Sequence, residues 1–299
     1  MSRLPICPDE PTKPIYHGRI RSGRFGELSE QSFTVRQCLQ SQIAFLDPFP
    51  SINYSAAGYR ESVNGSSDVE SYFRLHDAVQ IENLAMISAH LKRGMVVADC
   101  GCGGGSLLDF LKPLTSRTVA VEPFVGYHDS LRGRGHEVFP SVESALAGGW
   151  EGRVDFATSF HVIEHTNDPV NYLRSIGSML AQGGRAFVLT PNLDDVLMKV
   201  HFREFAPFFF RLVHNYYFNQ RSLSWVADRA GFKVLKVFFF HEFGLSNFVH
   251  WLRDNRPMGN ARVDGLDEVL DGTWKSWLQF SGQSNNLAIL IEKLEGNTD

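Results

Sequence analysis

The chain has 299 residues, enough for one or two domains that bury a core without disulfides, and it holds four cysteines. Hydrophobic residues make up 43% and charged residues 21%, which excludes a disordered chain, a collagen and a coiled coil. The net charge of -4 argues against a nucleic-acid partner, and no apolar run suggests a membrane span. No secretory signal is recognisable, so the expected location is cytoplasmic.

The N-terminal segment, residues 1–75, is rich in Pro, Gly, Ser and Arg over most of its length. We expect it to be irregular with short elements. A helix is predicted over 77–91, where apolar residues recur at helical spacing: Val79, Ile81, Leu84, Ile87 and Leu91.

From residue 95 the pattern changes to short buried strands that alternate with helices. The predicted strands are 95–98, 118–121, 137–139, 154–160 and 185–190, with helices over 106–114 and 168–180. Asp168 followed by Pro169 is typical of a helix start. This alternation predicts an α/β fold with a doubly wound, mostly parallel sheet.

After residue 192 the alternation lapses into an aromatic stretch that holds many of the 24 Phe. A helix is predicted over 222–230 and strands over 233–243 and 287–291, an antiparallel pair at the far edge of the sheet. The stretch between these strands is a C-terminal insertion with helical character around 248–252 and 267–270. The aromatic residues are interpreted as core, with a pocket wall for an apolar substrate as the alternative.

The strongest chemical signal is the run Asp99-Cys100-Gly101-Cys102-Gly103-Gly104-Gly105, where a strand meets a helix. Glycines there allow a sharp turn and a close approach of ligand to backbone N–H groups. Glu122 ends the next strand, where a carboxylate can accept both hydroxyls of a ribose. The run lacks the Lys-Ser/Thr of a polyphosphate loop, which favours an adenosine ligand carrying a cation or zwitterion.

Residues 96–108 with Glu122-Pro123 resemble the cofactor motif of class I S-adenosylmethionine-dependent methyltransferases. The stretch 156–192, with His161-Val162-Ile163-Glu164-His165, is similar to the subgroup of ubiquinone-biosynthesis O-methyltransferases and of sugar and natural-product methyltransferases. The resemblance covers about 77–293. It implies a seven-stranded Rossmann-like sheet, S-adenosyl-L-methionine as cofactor, and a methyltransferase domain over 76–299 in which 193–285 forms a substrate-side cap.

The resemblance also implies roles for individual residues. The loop would pass the methionine part of the cofactor, Asp99 would support its ammonium, Glu122 would hold the ribose, and Phe160 would line the cleft near the sulfonium. An acid that meets the adenine in this family has no clear counterpart, because Ser141 and Val142 stand there, followed by Glu143. The implied cofactor residues are Asp99, Gly101, Cys102, Gly103, Glu122, Pro123 and Phe160.

The candidate catalytic residues are His161, Glu164 and His165. His161 can act as a general base, with Glu164 orienting an imidazole. The alternatives are a divalent-metal site and a structural role in capping the following turn. The spacing H-x-x-E-H also resembles an inverted zinc-protease motif, but His161 follows a strand, which disfavours that interpretation.

The N-terminus resembles the zinc-ribbon leader of some sugar methyltransferases, with Cys7 and Cys38 as its remaining thiols. Glu10 and Ser41 occupy the second position of each C-x-x-C pair, so we expect no zinc there. The loop cysteines are expected to pack as small buried residues.

The function expected from this pattern is methyl transfer to a hydroxyl oxygen of a sugar, lipid-linked sugar or natural product. A catalytically silent cofactor-binding subunit, a C- or N-methyltransferase and a nicotinamide dehydrogenase are the alternatives. The expected partner is a small-molecule or glycan acceptor, and a homodimer stays open. Candidate acceptor-side residues are His201, Arg203, His214, Tyr216, Tyr217 and Arg221.

Overall fold

The structure is a computed structural model that describes residues 10–23, 26–259 and 261–294. The chain divides into two compact units. One comprises Met1–Pro50, Leu189–Trp225 and Val237–Ile289, and the other Ser51–Val188, Val226–Lys236 and Leu290–Asp299. We call them the aromatic unit and the loop unit, and describe each by itself.

The strands and helices are numbered in chain order. The strands are β1 Thr12–Gly18, β2 Phe33–Cys38, β3 Ala44–Asp47, β4 Val96–Cys100, β5 Arg117–Val121, β6 Glu137–Phe139, β7 Val154–Phe160, β8 Leu180–Pro191, β9 Tyr216–Tyr217, β10 Phe232–Phe240 and β11 Asn286–Lys293. The α-helices are α1 Ala57–Asn64, α2 Val69–Ile87, α3 Ser106–Leu111, α4 His128–Gly133, α5 Val142–Ala145, α6 Pro169–Met179, α7 Val196–Val200, α8 Phe202–Phe209, α9 Gln220–Arg229, α10 Leu245–Asp254 and α11 Glu268–Ser281.

The seven-stranded sheet has the order β10-β11-β8-β7-β4-β5-β6. Strand β4 runs parallel to β5 and β7, and β5 runs parallel to β6. Cys100 pairs with Val121 at the ends of β4 and β5, so the segments that follow these strands leave the sheet at the same edge. This order confirms the predicted doubly wound, mostly parallel sheet. The glycine loop lies at the edge formed by the carboxyl ends of its parallel strands.

Helix α2 differs from the predicted helix in both position and buried face. It begins at Val69 because the Asp68 side chain caps it by accepting the Ser71 N–H at 2.8 Å. Its buried residues are Tyr72 and Ile87, whereas Ile81 is 61% exposed. Of the apolar residues that predicted the helix, Ile87 is buried and Leu84 is half-buried, whereas Val79 and Ile81 face solvent.

The aromatic unit contains an antiparallel sheet of order β1-β2-β3-β9, and the short elements expected in the N-terminal segment are its strands β1, β2 and β3. These strands are short and rich in polar residues, and their apolar residues gain burial from distant parts of the chain. Phe45 of β3 pairs with Tyr216 of β9, far away in sequence. A sequence window of ordinary length does not contain that partner.

The core of the aromatic unit is built from Phe205, Phe210, Tyr217 and Trp251, together with aliphatic side chains from β2 and β3. The ring centroids of Phe205 and Trp251 lie 4.8 Å apart with near-perpendicular planes, a favourable edge-to-face arrangement. The core interpretation is thus confirmed for Phe205 and Phe210. Within the described residues, no helix has the length and apolar character needed to cross a membrane.

Candidate cofactor and catalytic site

The glycine loop follows β4 and needs glycine for two reasons. Gly101, Gly103 and Gly105 have φ values of +93°, +56° and +88°, which disfavour other residues. A Cβ on Gly101 would lie 2.3 Å from Val162 and one on Gly103 would lie 2.5 Å from Tyr72. The sequence predicted the turn, but not that Tyr72 and Val162 would pack so closely against it.

Asp99 is a buried carboxyl group beneath this loop, and it accepts the Thr158 hydroxyl at 2.8 Å. Burial, with a smaller contribution from the charge of Glu122, raises the pKa of Asp99 to about 7 despite that hydrogen bond. A cation placed nearby would favour its ionised form. These properties suit the ammonium-supporting role that the family resemblance implied for Asp99.

Glu122 is fully buried at the end of β5 and both of its oxygens accept hydrogen bonds. One oxygen accepts the Gly103 N–H at 2.9 Å, and the other accepts the Phe124 N–H at 2.8 Å. The second oxygen also forms an ion pair with Arg60 of α1. The structure therefore joins Glu122 to the glycine loop directly, and adds a cation that sequence reasoning missed.

The residues after β6, where the family resemblance suggested an adenine contact, make local contacts. Ser141 caps α5 by accepting the Ser144 N–H at 3.1 Å, and Val142 is buried. Glu143 is exposed and accepts a hydrogen bond from Ser175 at 3.1 Å. Pro123 is half-buried beside Phe124, whose ring packs edge-on against Tyr127 at 4.9 Å.

The segment after β7 brings His161 and Glu164 together. His161 Nδ1 lies 3.5 Å from Glu164 Oε1, and the two side chains are 45% and 1% exposed. Burial opposes ionisation of Glu164, but the hydrogen bond from His161 and the charges of His165 and His161 outweigh it and lower the pKa of Glu164. A buried carboxylate thus meets a half-exposed imidazole.

His161 and His165 do not share a helical face. His161 has a φ of +56°, and the short 3₁₀ turn comprises only Ile163–His165. Left-handed backbone at a residue other than glycine is a strained feature found mainly at functional sites. The His165 ring instead packs against Tyr54 and Tyr59, with centroid distances of 5.2 Å and 6.4 Å.

Phe160 ends β7 as predicted, and its ring lies 5.7 Å from that of Phe187. Cys100 and Cys102 are buried free thiols, as expected for small residues packed at the loop. Arg60, Tyr54 and Tyr59 were not predicted as site residues. They lie in the segment interpreted as irregular, so no local pattern marked them.

In the N-terminal strands, the two residues that replace the expected cysteines bond to each other. Ser41 donates its hydroxyl to Glu10 Oε2 at 2.9 Å and its N–H to the same oxygen at 3.2 Å. Burial raises the pKa of the Cys38 thiol to about 11. Cys7 lies outside the described residues.

The candidate acceptor-side residues are mostly structural in the aromatic unit. Tyr216 and Tyr217 form β9, and the Tyr217 hydroxyl bonds to both the N–H and the carbonyl of Arg211. His214 is buried, and His201 bonds to Asn255 at 2.8 Å. Arg203 and Arg221 are exposed.

A family profile described as a methyltransferase domain matches residues 73–237, more than half of the chain. The chain belongs to the S-adenosylmethionine-dependent methyltransferase family. This methyltransferase is similar in fold to a SAM-dependent methyltransferase from Archaeoglobus fulgidus, with a TM-score of 0.52, 16% identity, and coverage of 75% of this chain and 97% of that one.

Two relatives described as ubiquinone biosynthesis O-methyltransferases match part of the methyltransferase chain. The protein from Azotobacter vinelandii is 28% identical over 134 residues, 42% of this chain and 57% of its own length. The protein from Xanthomonas axonopodis is 33% identical over 117 residues, 36% of this chain and 48% of its own length. The chain thus spans about half the length of these relatives.

The residues at the loop fit the family's cofactor, S-adenosylmethionine. A buried carboxyl with a raised pKa, Asp99, suits an ammonium, and Glu122 suits a ribose diol. A polyphosphate would meet two buried carboxyl groups here. These two carboxyl groups therefore favour a zwitterionic adenosine compound over a dinucleotide.

Proposed function

We propose that the methyltransferase transfers a methyl group to a hydroxyl oxygen of a small-molecule or glycan acceptor, such as a sugar, a lipid-linked sugar or a natural product. The observation that carries the proposal is the pairing of His161 with the buried Glu164 directly after β7, the strand beside β4. A hydroxyl is a weak nucleophile that gains most from a positioned base.

Residues of the glycine loop and of β5 would hold the cofactor. Asp99 would bind the ammonium, Gly101, Cys102 and Gly103 would line the methionine part, and Glu122 would bind the ribose. When bound, S-adenosylmethionine supplies an activated methyl group, so the protein has to provide alignment, exclusion of water and a proton acceptor.

His161 would take the acceptor's proton at Nε2, because its Nδ1 faces Glu164. The Glu164 carboxylate is kept ionised in a buried position, and it would stabilise the imidazolium that forms. His165, whose ring packs against those of Tyr54 and Tyr59, would support the segment. We include residues 193–285 in this proposal as the part of the chain that selects the acceptor.

The deciding experiment measures turnover of S-adenosylmethionine against a panel of hydroxylated, amino and carbon acceptors, with calorimetry of S-adenosylmethionine, S-adenosylhomocysteine and NAD beside it. We expect binding of both adenosyl compounds, no NAD binding, and turnover with a hydroxylated acceptor. Tighter binding of NAD would refute the cofactor assignment. Turnover only with amino or carbon acceptors would refute the hydroxyl assignment.

A catalytically silent cofactor-binding subunit is the second candidate, because the glycine loop and the Glu122 carboxylate bonded to it would suit cofactor binding without turnover as well. It predicts cofactor binding without turnover on any acceptor of the panel. A His161→Ala variant would then bind the cofactor as the wild type does and, like the wild type, show no turnover.

A further inference from the structure

Arg60 lies on α1 and reaches the carboxylate that the proposed function assigns to the ribose. Its Nη2 donates to the Glu122 oxygen that also accepts the Phe124 N–H, while Gly103 N–H occupies the other oxygen. The Arg60 side chain is 15% exposed and that of Glu122 is 0% exposed. This is a buried ion pair inside the loop unit.

The hydrogen-bond capacity of Glu122 limits what else can bind there. A carboxylate offers about four acceptor positions on its two oxygens. The N–H groups of Gly103 and Phe124 and the Arg60 guanidinium fill three of them. One position remains, whereas a ribose diol donates two hydrogen bonds. If Arg60 leaves, the remaining positions match the diol.

The ion pair with Glu122 favours the charged form of Arg60 but does not engage every N–H group of its guanidinium. Burial works against the charge of Arg60, yet Glu122 outweighs it and raises the pKa of Arg60 above its ordinary value. Arg60 Nε, however, is buried without a hydrogen-bond partner in the part of the chain that the structure describes. The guanidinium also lies over the rings of Tyr59 and Tyr127, at 5.4 Å and 5.6 Å from their centroids.

We infer that Arg60 is a built-in competitor of the cofactor: its guanidinium occupies Glu122 until the ribose of S-adenosylmethionine displaces it. The inference rests on the proposed role of Glu122. It makes α1 a segment that responds to the cofactor. Because Tyr59 on α1 and Tyr54 just before it pack against His165, displacement of Arg60 also changes the support of the candidate catalytic segment.

The test compares S-adenosylhomocysteine binding by calorimetry in wild type, Arg60→Gln and Arg74→Gln. Arg74 is an exposed residue of the neighbouring helix α2 and serves as the matched control. We expect Arg60→Gln to bind about 5- to 150-fold more tightly, the usual range of coupling between competing states, and Arg74→Gln to bind as wild type does.

A measurement on the wild-type protein covers the case in which Arg60→Gln does not fold. Saturating S-adenosylhomocysteine should raise the hydrogen exchange of the 57–64 amides while it lowers exchange in the loop 101–105. Protection of 57–64 that stays the same or rises would overturn the inference.

The two proposals fail differently. S-adenosylhomocysteine binding to wild type that Arg60→Gln leaves unchanged or weakens would overturn the competitor role and leave the cofactor assignment intact. Absence of S-adenosylhomocysteine binding in wild type and in both variants would overturn the assignment of Glu122 to the ribose, and the inference with it.

Discussion

The end of β4 with its glycine loop (the β4 segment) and the turn after β7 (the β7 segment) belong to neighbouring parallel strands, yet the pKa values of their buried carboxyl groups are shifted in opposite directions. The β4 segment buries Asp99 under a glycine loop, where burial raises its pKa to about 7. The β7 segment buries Glu164, lowers its pKa, and leaves its partner His161 half-exposed. The first arrangement suits binding of a cation, and the second suits transfer of a proton.

The difference has a physical cause in the neighbours of each carboxyl group. Asp99 receives one hydrogen bond from a neutral hydroxyl and lies near another acid, so desolvation dominates. Glu164 has two imidazoles nearby, whose charges outweigh a similar desolvation. Two equally buried carboxyl groups can therefore have pKa values shifted in opposite directions.

The largest expected effect belongs to the β7 segment. His161→Ala should lower turnover by about 10²- to 10⁴-fold, because removal of a general base leaves the acceptor hydroxyl without a proton acceptor. Cofactor affinity should change much less, since the variant leaves the β4 segment intact. Steady-state kinetics and calorimetry measure the two effects, with His17→Ala on the exposed face of β1 as the control.

A metal bound in the β7 segment would mean that this segment binds a cation and does not act through proton transfer alone. If His161, Glu164 and His165 hold a divalent ion, a chelator abolishes turnover and Mg²⁺ restores it. We expect no such response. Near-normal turnover of His161→Ala without a response to chelator would remove both the base and the metal roles and leave the capping role.

The second effect belongs to Glu122. Glu122→Gln should weaken cofactor binding by roughly 10- to 150-fold, the loss of about 1.5–3 kcal/mol for a hydrogen bond to a charged group. Turnover at saturating cofactor should fall far less than in His161→Ala. Because the substitution also removes the charge that faces Arg60, it is compared with Glu122 in an Arg60→Gln background, with thermal unfolding beside the calorimetry. An unchanged affinity in that background would exclude the ribose role.

The third effect sharpens the contrast in protonation. With a pKa of about 7, Asp99 must lose a proton before it supports an ammonium, so cofactor affinity should rise up to about tenfold per pH unit below 7 and level off above it. Calorimetry between pH 5.5 and 8.5, about the range that brackets this pKa, measures the slope. A flat profile would mean that Asp99 does not sense the ammonium.

The same titration of Asp99 should affect folding stability, which falls with rising pH where cofactor affinity rises. The folded-state pKa of Asp99 lies above the unfolded value of about 3.9, so its contribution to stability is lost as pH rises from about 4 to 7. Asp99→Asn should remove both the loss of stability with rising pH and the pH dependence of cofactor binding. Asp195→Asn is the matched control, because burial also raises the pKa of Asp195 to about 7 in the aromatic unit, and only the stability profile should change.

The smallest expected effect concerns the N-terminal strands. Purified protein should hold no stoichiometric zinc, and Cys38→Ala should leave turnover unchanged, since Ser41 and Glu10 bond to each other and Cys38 is a buried thiol. Elemental analysis measures the metal. One tightly held zinc per chain that is lost in Cys38→Ala would contradict this expectation.

The sequence by itself determined the parallel sheet, the glycine loop and the position of Glu122. These features rest on local signals: apolar runs of strand length, glycines where positive φ is needed, and an acid at the end of the next strand. The resemblance to methyltransferases rested on the same residues, and the family match agrees with it.

The tertiary structure alone decided how these residues are engaged. Arg60 and Glu122 are 62 positions apart, and Tyr54 and Tyr59 reach His165 from a segment without periodicity. The strand pairing of Phe45 with Tyr216, the left-handed backbone of His161 and the bond between Glu10 and Ser41 have no local signal either. Local patterns indicate which backbone conformations are low in energy, whereas the partner of a buried charge depends on which distant segment the fold brings to it.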